Sequence, residues 1–545
     1  MANPAPSPPT PGTGGDPRRL ALALAASLVA LGLAAKLYTG HVWEDFLITF
    51  RFSENLVRGQ GLVYQPGERV FGFTSPLDAV LPALFKAILG GGDYQRALWA
   101  FAVVSLAVLG AGLVAHAALL RGEPRGRARA QLLVLFILCA LNVKLMMNTI
   151  NGQEAGLWGG FLLMSLCALL SPGAGWRGLG MAAAGLLWTR PDSPVQIALL
   201  GLGAFVFAEG PRGALAIRIL KAAVLCAVLY LPWFAWATLY YGSPVPHTII
   251  AKINMFGGVP GALPKLQAFA RILPEAVARG FEPIYSEAGG WPSWVGWFGT
   301  AAGAFCSLYW ILPGGDRIGR IASLTYLGSA AYLACVGVSG LMFPWYFVPC
   351  CVTGAVVLSR VIGGALGGAG RGPARAAAVS ALCALSLALG YQMAFSLLQL
   401  RLRQDLVEDG TRRSVGLWLH DHMRPSDTVY LEPIGYIGYY SQAHILDYPG
   451  LVAPSVVSAR RQSHQGFYGC IDILKPDWVV ARPGDLPEFA KRPDLHAHYA
   501  YAASFDAGVR TDAYRNLPGS GFLEADSHLI ILRRLPEGRG PSAPK

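Results

Sequence analysis

The chain has 545 residues, 53% of them hydrophobic and only 14% charged, where a soluble domain carries about 25% charged residues. Its formal net charge is +12; residues 400–545 hold 17 basic and 17 acidic side chains, so the whole excess lies in residues 1–399. This composition excludes a soluble globular enzyme, and the absence of a zinc spacing or of a basic run interleaved with aromatics excludes a nucleic-acid partner.

In chain order, residues 1–19 open with "MANPAPSPPTPGTGGDP", too rich in Pro, Gly and Ser for a core, and read as a disordered cytoplasmic tail. Arg18 and Arg19 precede an apolar run from Leu20 to Leu37, read as a retained first helix rather than a cleaved signal, because more spans follow. Further apolar runs lie near 97–120, 130–148, 154–171, 178–190, 194–208, 214–239, 293–313, 319–340, 343–361 and 374–399. Basic connectors fall at 121–129, 172–177, 209–221, 313–320 and 360–375. Placing all of them in the cytoplasm requires that 76–92, "SPLDAVLPALFKAILGG", lie at the membrane surface, and gives about eleven transmembrane helices by positive-inside logic. Eight of the nine cysteines sit in apolar runs without metal or disulfide spacing, and His116 reads as a core histidine. From residue 400 the pattern changes. "QDLVEDGTRRSVGLWLHDHM" has helical periodicity, whereas "DTVYLEP", "AHILDYP", "PDWVVARP" and "SHLIILRR" read as strands. The fold class is therefore a mostly α polytopic membrane protein, residues 20–399, with a C-terminal soluble α/β domain, residues 400–545, on the side opposite the cytoplasm.

That topology gathers the polar, non-basic features on one face. Glu44 and Asp45 end the first helix there, in an outer loop of residues 40–75. "NTINGQEAGLW" brings Glu154, "TRPD" brings Arg190 and Asp192, "YYGSPVPHTIIAK" brings His247 and Lys252, and "FPWYFVP" brings Trp345 and Tyr346. Each has a structural reading of its own: a helix cap, a local ion pair, a snorkelling lysine, an aromatic belt. Ionisable groups at a membrane boundary are costly, so five loops bearing them on one side point to a site. A carboxylate there can act as general base on a hydroxyl. Arg or Lys can bind a departing phosphate, and aromatic rings can stack on sugars. A transporter or flippase of lipid-linked sugar is the alternative. It calls for polar residues at mid-membrane and for two similar halves, neither of which the sequence displays. A non-catalytic assembly protein that binds glycan through its soluble domain is the third reading.

The stretch "WEDFLITFRFSENLVRGQGLVYQPGERVFGFTSPL" resembles the first outer loop of GT-C membrane glycosyltransferases, and most nearly the subgroup that includes cell-wall arabinofuranosyltransferases. The likeness rests on the acidic pair, Arg51-Phe52, Gly59-Gln60-Gly61-Leu62-Val63, Pro66-Gly67-Glu68 and Gly72-Phe73-Thr74-Ser75-Pro76-Leu77. "NGQEAGLW", "TRPD", "YGSPVPHTIIAK" and "EPIGYIGYYS" extend it along the chain. The resemblance implies a multi-pass enzyme of a bacterial-type inner membrane. Its donor would be a polyprenyl-phosphate sugar, possible arabinofuranose among the sugars, and its acceptor an extracytoplasmic glycan, lipid or protein. Transfer would be inverting, with Asp45 as base and Glu44 as its alternative or helper. Arg51, Arg190 and Lys252 are the phosphate candidates. Three departures stand out: Glu rather than Asp at 44, Asp rather than Glu at 192, and His247 where the subgroup has Asn. The residues require no cofactor; a divalent metal held by the acids is the one the resemblance admits.

Overall fold

The computed structural model describes residues 17–171, 175–256, 261–340, 342–368, 372–463 and 466–536. Residues 1–16 of the expected tail lie outside that set, while Pro17–Arg19 already belong to the first helix, α1 (Pro17–Thr39). It stops at Gly40, whose φ of +58° an L side chain rarely adopts. The acidic pair therefore does not close α1, as expected, but opens α2 (Glu44–Val57). Two carboxylates in a first turn are favoured by the partial positive charge of a helix N-terminus.

α3 (Pro76–Leu89) is capped by Ser75, whose hydroxyl accepts from the Asp78 amide at 3.3 Å. Its 14 residues carry Asp78, Lys86 and an interior Pro82, and ionisable side chains are costly in a bilayer core. α4 (Gln95–Leu119), α5 (Arg125–Leu141), α6 (Val143–Ile150) and α7 (Ala155–Leu170) follow. The α5–α6 pair is bent by 64°. Asn142 holds the bend by accepting from the Leu145 amide and donating to the Gly280 carbonyl. α8 (Trp176–Thr189) and α9 (Pro194–Val206) are separated by the proline-bounded turn that carries Arg190. Next come α10 (Arg212–Tyr241), α11 (His247–Phe256), α12 (Ala262–Ala278), α13 (Ser293–Leu308), α14 (Arg317–Gly337) and α15 (Val348–Leu358). A last helical rod runs unbroken from Pro373 to His422, so the change of composition near residue 400 falls inside a helix.

Among the described residues, five helices are long and apolar enough to cross a membrane, and the bent α5–α6 pair makes six. The sequence led to about eleven; the difference lies in helices of 13 to 21 residues, namely α7, α8, α9, α13 and α14.

The C-terminal region carries a five-stranded sheet of β1 (Thr428–Leu431), β2 (His444–Asp447), β3 (Trp478–Ala481), β4 (Tyr499–Asp506) and β5 (His528–Arg534), in the order β2-β1-β3-β5-β4. β1 pairs in parallel with β2 and β3, and β5 runs antiparallel to β3 and β4. Four of these strands match the sequence reading. β4 does not, because "YAYAASFD" has three alanines among its eight residues and lacks the β-branched run that signals a strand.

The sheet region is seated on the first outer loop. Ile48, Phe52, Phe71 and Phe73 pack in one buried cluster with Trp233 of α10 and with Val429, Leu431 and Ile531 of the sheet. The helix Ile434–Ser441 approaches α2 so closely that a Cβ on Gly435 would collide with the Glu44 backbone and side chain. Backbone atoms cannot yield as a flexible side chain does, so Gly435→Ala is expected to displace this helix and lower the thermal unfolding midpoint.

Candidate active site

Three cavities share lining residues where the helical domain meets the segments around Asp45 and Lys252. The inner one is lined by Asp45, Thr49, Thr74, Asp78, Glu154, Lys252, Trp345 and Tyr346. The second opens along α11, α14 and the turn before α9; Ile249, Ile253, Leu333 and Val336 line it together with Arg190, Asp192, Lys252 and Tyr346. The third lies between the helical domain and the sheet region and is bounded by Glu44, Asp45, Lys252, Trp345, Arg412, Glu432, Arg482 and Asp526. Lys252 lines all three; Asp45 and Trp345 line the inner and the third.

Asp45 and Glu44 are adjacent but differently engaged. Glu44 accepts from the Gly435 amide at 2.9 Å and pairs with Arg412 at 2.8 Å. Burial pushes its carboxyl up to about 7 against the pull of Arg412. Among the described residues, the Asp45 carboxylate has no hydrogen bond and no ion pair. Burial raises it too, and Lys252 opposes the shift. Lys252 likewise meets no carboxylate within ion-pair distance. Its ammonium stands 3.5 Å from the Tyr346 hydroxyl and 4.8 Å from the Phe343 ring centroid.

Arg190, by contrast, is neutralised twice. It pairs with Glu154 at 2.5 Å and with Asp192 at 2.8 Å, sandwiched between Trp158 and Tyr346. Burial works against ionisation of Glu154, but Arg190 and a hydrogen bond shared with Asp78 outweigh it and hold Glu154 below the ordinary carboxylate range. Asp78 moves the other way: burial, aided by the neighbouring Glu154, drives its carboxyl well above the ordinary aspartate range. Breaking such a buried pair from one side leaves a charge without compensation. Arg190→Met is expected to destabilise the protein by about 3 kcal/mol, read from thermal unfolding in detergent.

Two of the expected site residues lie away from these cavities. Arg51 does not reach any of these cavities. It is only 4% exposed, donates to the Gly438 and Ala443 carbonyls at 2.8 and 2.9 Å, and lies over the Tyr64 ring. It faces inward because α2 is an amphipathic helix sandwiched under the sheet region, so its guanidinium ties two domains rather than a phosphate. Arg51→Ala would orphan both carbonyls and cost about 3 kcal/mol of stability; a fall in unfolding midpoint, with donor affinity kept in the fraction that folds, is the expected result. His247 also lies off the cavity walls. Its backbone amide donates to the Phe71 carbonyl at 2.7 Å, and burial, aided by Arg461, lowers the ring's pKa. It starts α11, whose next turn delivers Thr248 and Lys252 to the inner cavity.

Sequence reasoning did not single out Asp78 or the ionic chain that lines the third cavity. In that chain Arg412 joins Glu44, Glu408 and Asp526, and Arg482 joins Asp526 and Glu432. Burial would raise the Asp526 carboxyl, but the two arginines hold it below the ordinary range. An acid at position 78 of an apolar helix was a signal open to view. The pairing of Glu44 with Arg412, far along the chain, was not. Among the described residues no group of three or more His, Cys, Asp or Glu is placed to hold a metal ion. Glu154 and Asp192 are spent on Arg190, and Glu44 and Asp526 on Arg412, so this donor set does not fit a divalent metal.

A family profile described as a domain of unknown function (DUF8728) matches residues 399–522. No curated protein matches the chain by sequence. Among solved structures, ArnT from Cupriavidus metallidurans bound to undecaprenyl phosphate superposes with a TM-score of 0.54 at 12% identity, over 96% of this chain and 99% of that one. The oligosaccharyltransferase AglB from Archaeoglobus fulgidus, in complex with an inhibitory peptide and a dolichol-phosphate, gives 0.52 at 13% identity, over 90% and 74%. The arabinofuranosyltransferase AftD from Mycobacteria gives 0.46 at 15% identity, over 96% and 40%, a score at which the likeness carries no argument about the sugar. The agreement over nearly the whole chain establishes the architecture: this is a multi-pass membrane protein with the fold of the GT-C glycosyltransferases.

Proposed function

We propose that the protein is an integral-membrane glycosyltransferase that moves a sugar from a polyprenyl-phosphate donor to an acceptor hydroxyl outside the cytoplasm. One observation carries this reading: Asp45, a carboxylate unpartnered among the described residues, and Lys252, a cation with no carboxylate partner among them, share the walls of the inner and third cavities. In this reading the apolar second cavity takes the prenyl phosphate, the inner cavity the sugar, and the third the acceptor. The acceptor oxygen attacks the anomeric carbon as the bond from that carbon to the phosphate oxygen breaks. The electron pair leaves with the phosphate, whose charge Lys252 offsets. The acceptor proton passes to Asp45, and the configuration at the anomeric carbon inverts. A raised carboxyl pKa suits this role, because a general base works best when its pKa approaches the working pH.

The same reading makes α7, α8, α9, α13 and α14 crossings in addition to the six longer spans, about eleven in all. The basic connectors then lie in the cytoplasm and the sheet region outside a bacterial-type plasma membrane. The chain reconstituted in proteoliposomes with radiolabelled polyprenyl-phosphate sugars is expected to release polyprenyl phosphate and label an added acceptor. Movement of the intact donor between leaflets without cleavage would instead establish the transporter reading.

A further inference from the structure

Resting on that reading, we infer that the acceptor is a neutral sugar chain, held between the helical domain and the sheet region with one ring against Trp345. The third cavity is the way in. Its rim is charged, with Glu432 and Arg482 each 39% exposed, whereas the second cavity is walled by aliphatic side chains. An acceptor using the third cavity comes from water, not sideways out of the bilayer.

The cavity's chemistry selects among water-soluble acceptors. Arg412 and Arg482 are each committed to at least two carboxylates, and Lys252 serves the departing phosphate. Among the described lining residues, a phosphorylated or sulfated acceptor would compete with the departing phosphate for Lys252 and would face Glu44, Asp45, Glu432 and Asp526. Hydroxyl groups meet no such conflict. A carboxylate bonded to one arginine keeps lone pairs that accept from them, and the array is held rigid by its own ion pairs. A peptide would bring its own backbone groups, which need a partner such as a free strand edge. The nearest edge, β2, is closed: Gln65 accepts from the Ile445 amide and donates to the Ile445 carbonyl. The remaining wall is aromatic. Phe343 and Trp345 stack with centroids 4.8 Å apart and planes 10° from parallel; the stack fixes the plane of the Trp345 ring, whose face away from Phe343 suits the C–H face of a sugar ring. Trp345 lines both the third and the inner cavity, so a sugar stacked there sits at the threshold that Asp45 shares.

The test uses the full-length Asp45→Asn protein in lipid nanodiscs, so that binding is read without turnover. Titrants are neutral tetrasaccharides of pentofuranose and of hexopyranose, the same tetrasaccharides carrying one phosphate, and a serine-containing octapeptide; the readout is calorimetric. At least one neutral tetrasaccharide is expected to bind saturably. Trp345→Ala should weaken it about tenfold, the worth of one aromatic contact, and Trp345→Phe should restore most of the affinity. Affinity for polyprenyl phosphate should be the same in both variants, because Trp345 does not line the second cavity. Absence of neutral-sugar binding, preference for the phosphorylated sugar or the peptide, or indifference to Trp345→Ala would each overturn the inference. Should the neutral sugar bind at Trp345 while the unmutated protein transfers nothing in proteoliposomes, the glycosyltransferase reading fails and with it the acceptor role, leaving a neutral-glycan binding site at Trp345. Transfer to a peptide or phospholipid keeps the glycosyltransferase reading and overturns this inference.

Discussion

Asp45→Asn is expected to reduce transfer by about 10³-fold, within the range that a positioned general base contributes, with unchanged expression and unfolding midpoint. The amide keeps the shape of the side chain but cannot take the acceptor proton, and no folding interaction is lost, because the carboxylate has no partner among the described residues. Glu44→Gln supplies the contrast. Its carboxylate pairs with Arg412 and accepts from Gly435, so its loss should lower the unfolding midpoint while transfer falls by less than about tenfold, since the proton acceptor itself is retained. The pH profile separates the two further. Activity requires ionised Asp45, so it is lost as pH falls through the Asp45 pKa. Burial places that acid limb above the ordinary aspartate value of about 3.9. Glu44→Gln should leave the limb in place. Full transfer by Asp45→Asn would remove the carboxylate from the chemistry.

Lys252→Met is the second large effect. The lysine is the cation common to the three cavities, so its loss removes the charge that steadies the departing phosphate, at about 10²-fold in turnover. Polyprenyl-phosphate affinity should fall as well. The acid limb should also move to higher pH, because Lys252 works against the burial that raises Asp45; without it the carboxylate is harder to ionise. A variant with reduced turnover but an unmoved limb would mean that Lys252 acts only on the donor. Arg190→Met, already committed to Glu154 and Asp192, should lose stability before it loses chemistry.

Much of this architecture could be read from residues in order. Apolar runs with basic connectors declare membrane helices and their polarity, because an uninterrupted stretch of hydrocarbon side chains has one low-energy environment and cationic loops resist translocation. The 76–92 stretch was readable as non-spanning from Pro82, Asp78 and Lys86, which a bilayer core disfavours. Which loops converge was readable only as sidedness. Arg51 shows the limit. Its spacing from Asp45 fits a phosphate ligand, yet the guanidinium points away because the sheet region, almost 400 residues later, offers two carbonyls.

The sequence by itself determined a polytopic helical protein with a C-terminal sheet, since hydropathy and turn chemistry are local properties. Only the tertiary structure decided which charges are spent and which are free. Arg190 is consumed by Glu154 and Asp192, Glu44 by Arg412, while Asp45 and Lys252 are left facing a common space. The reason is that the state of a buried charge is set by the groups within a few ångströms of it, and those groups come from loops that only the fold brings together.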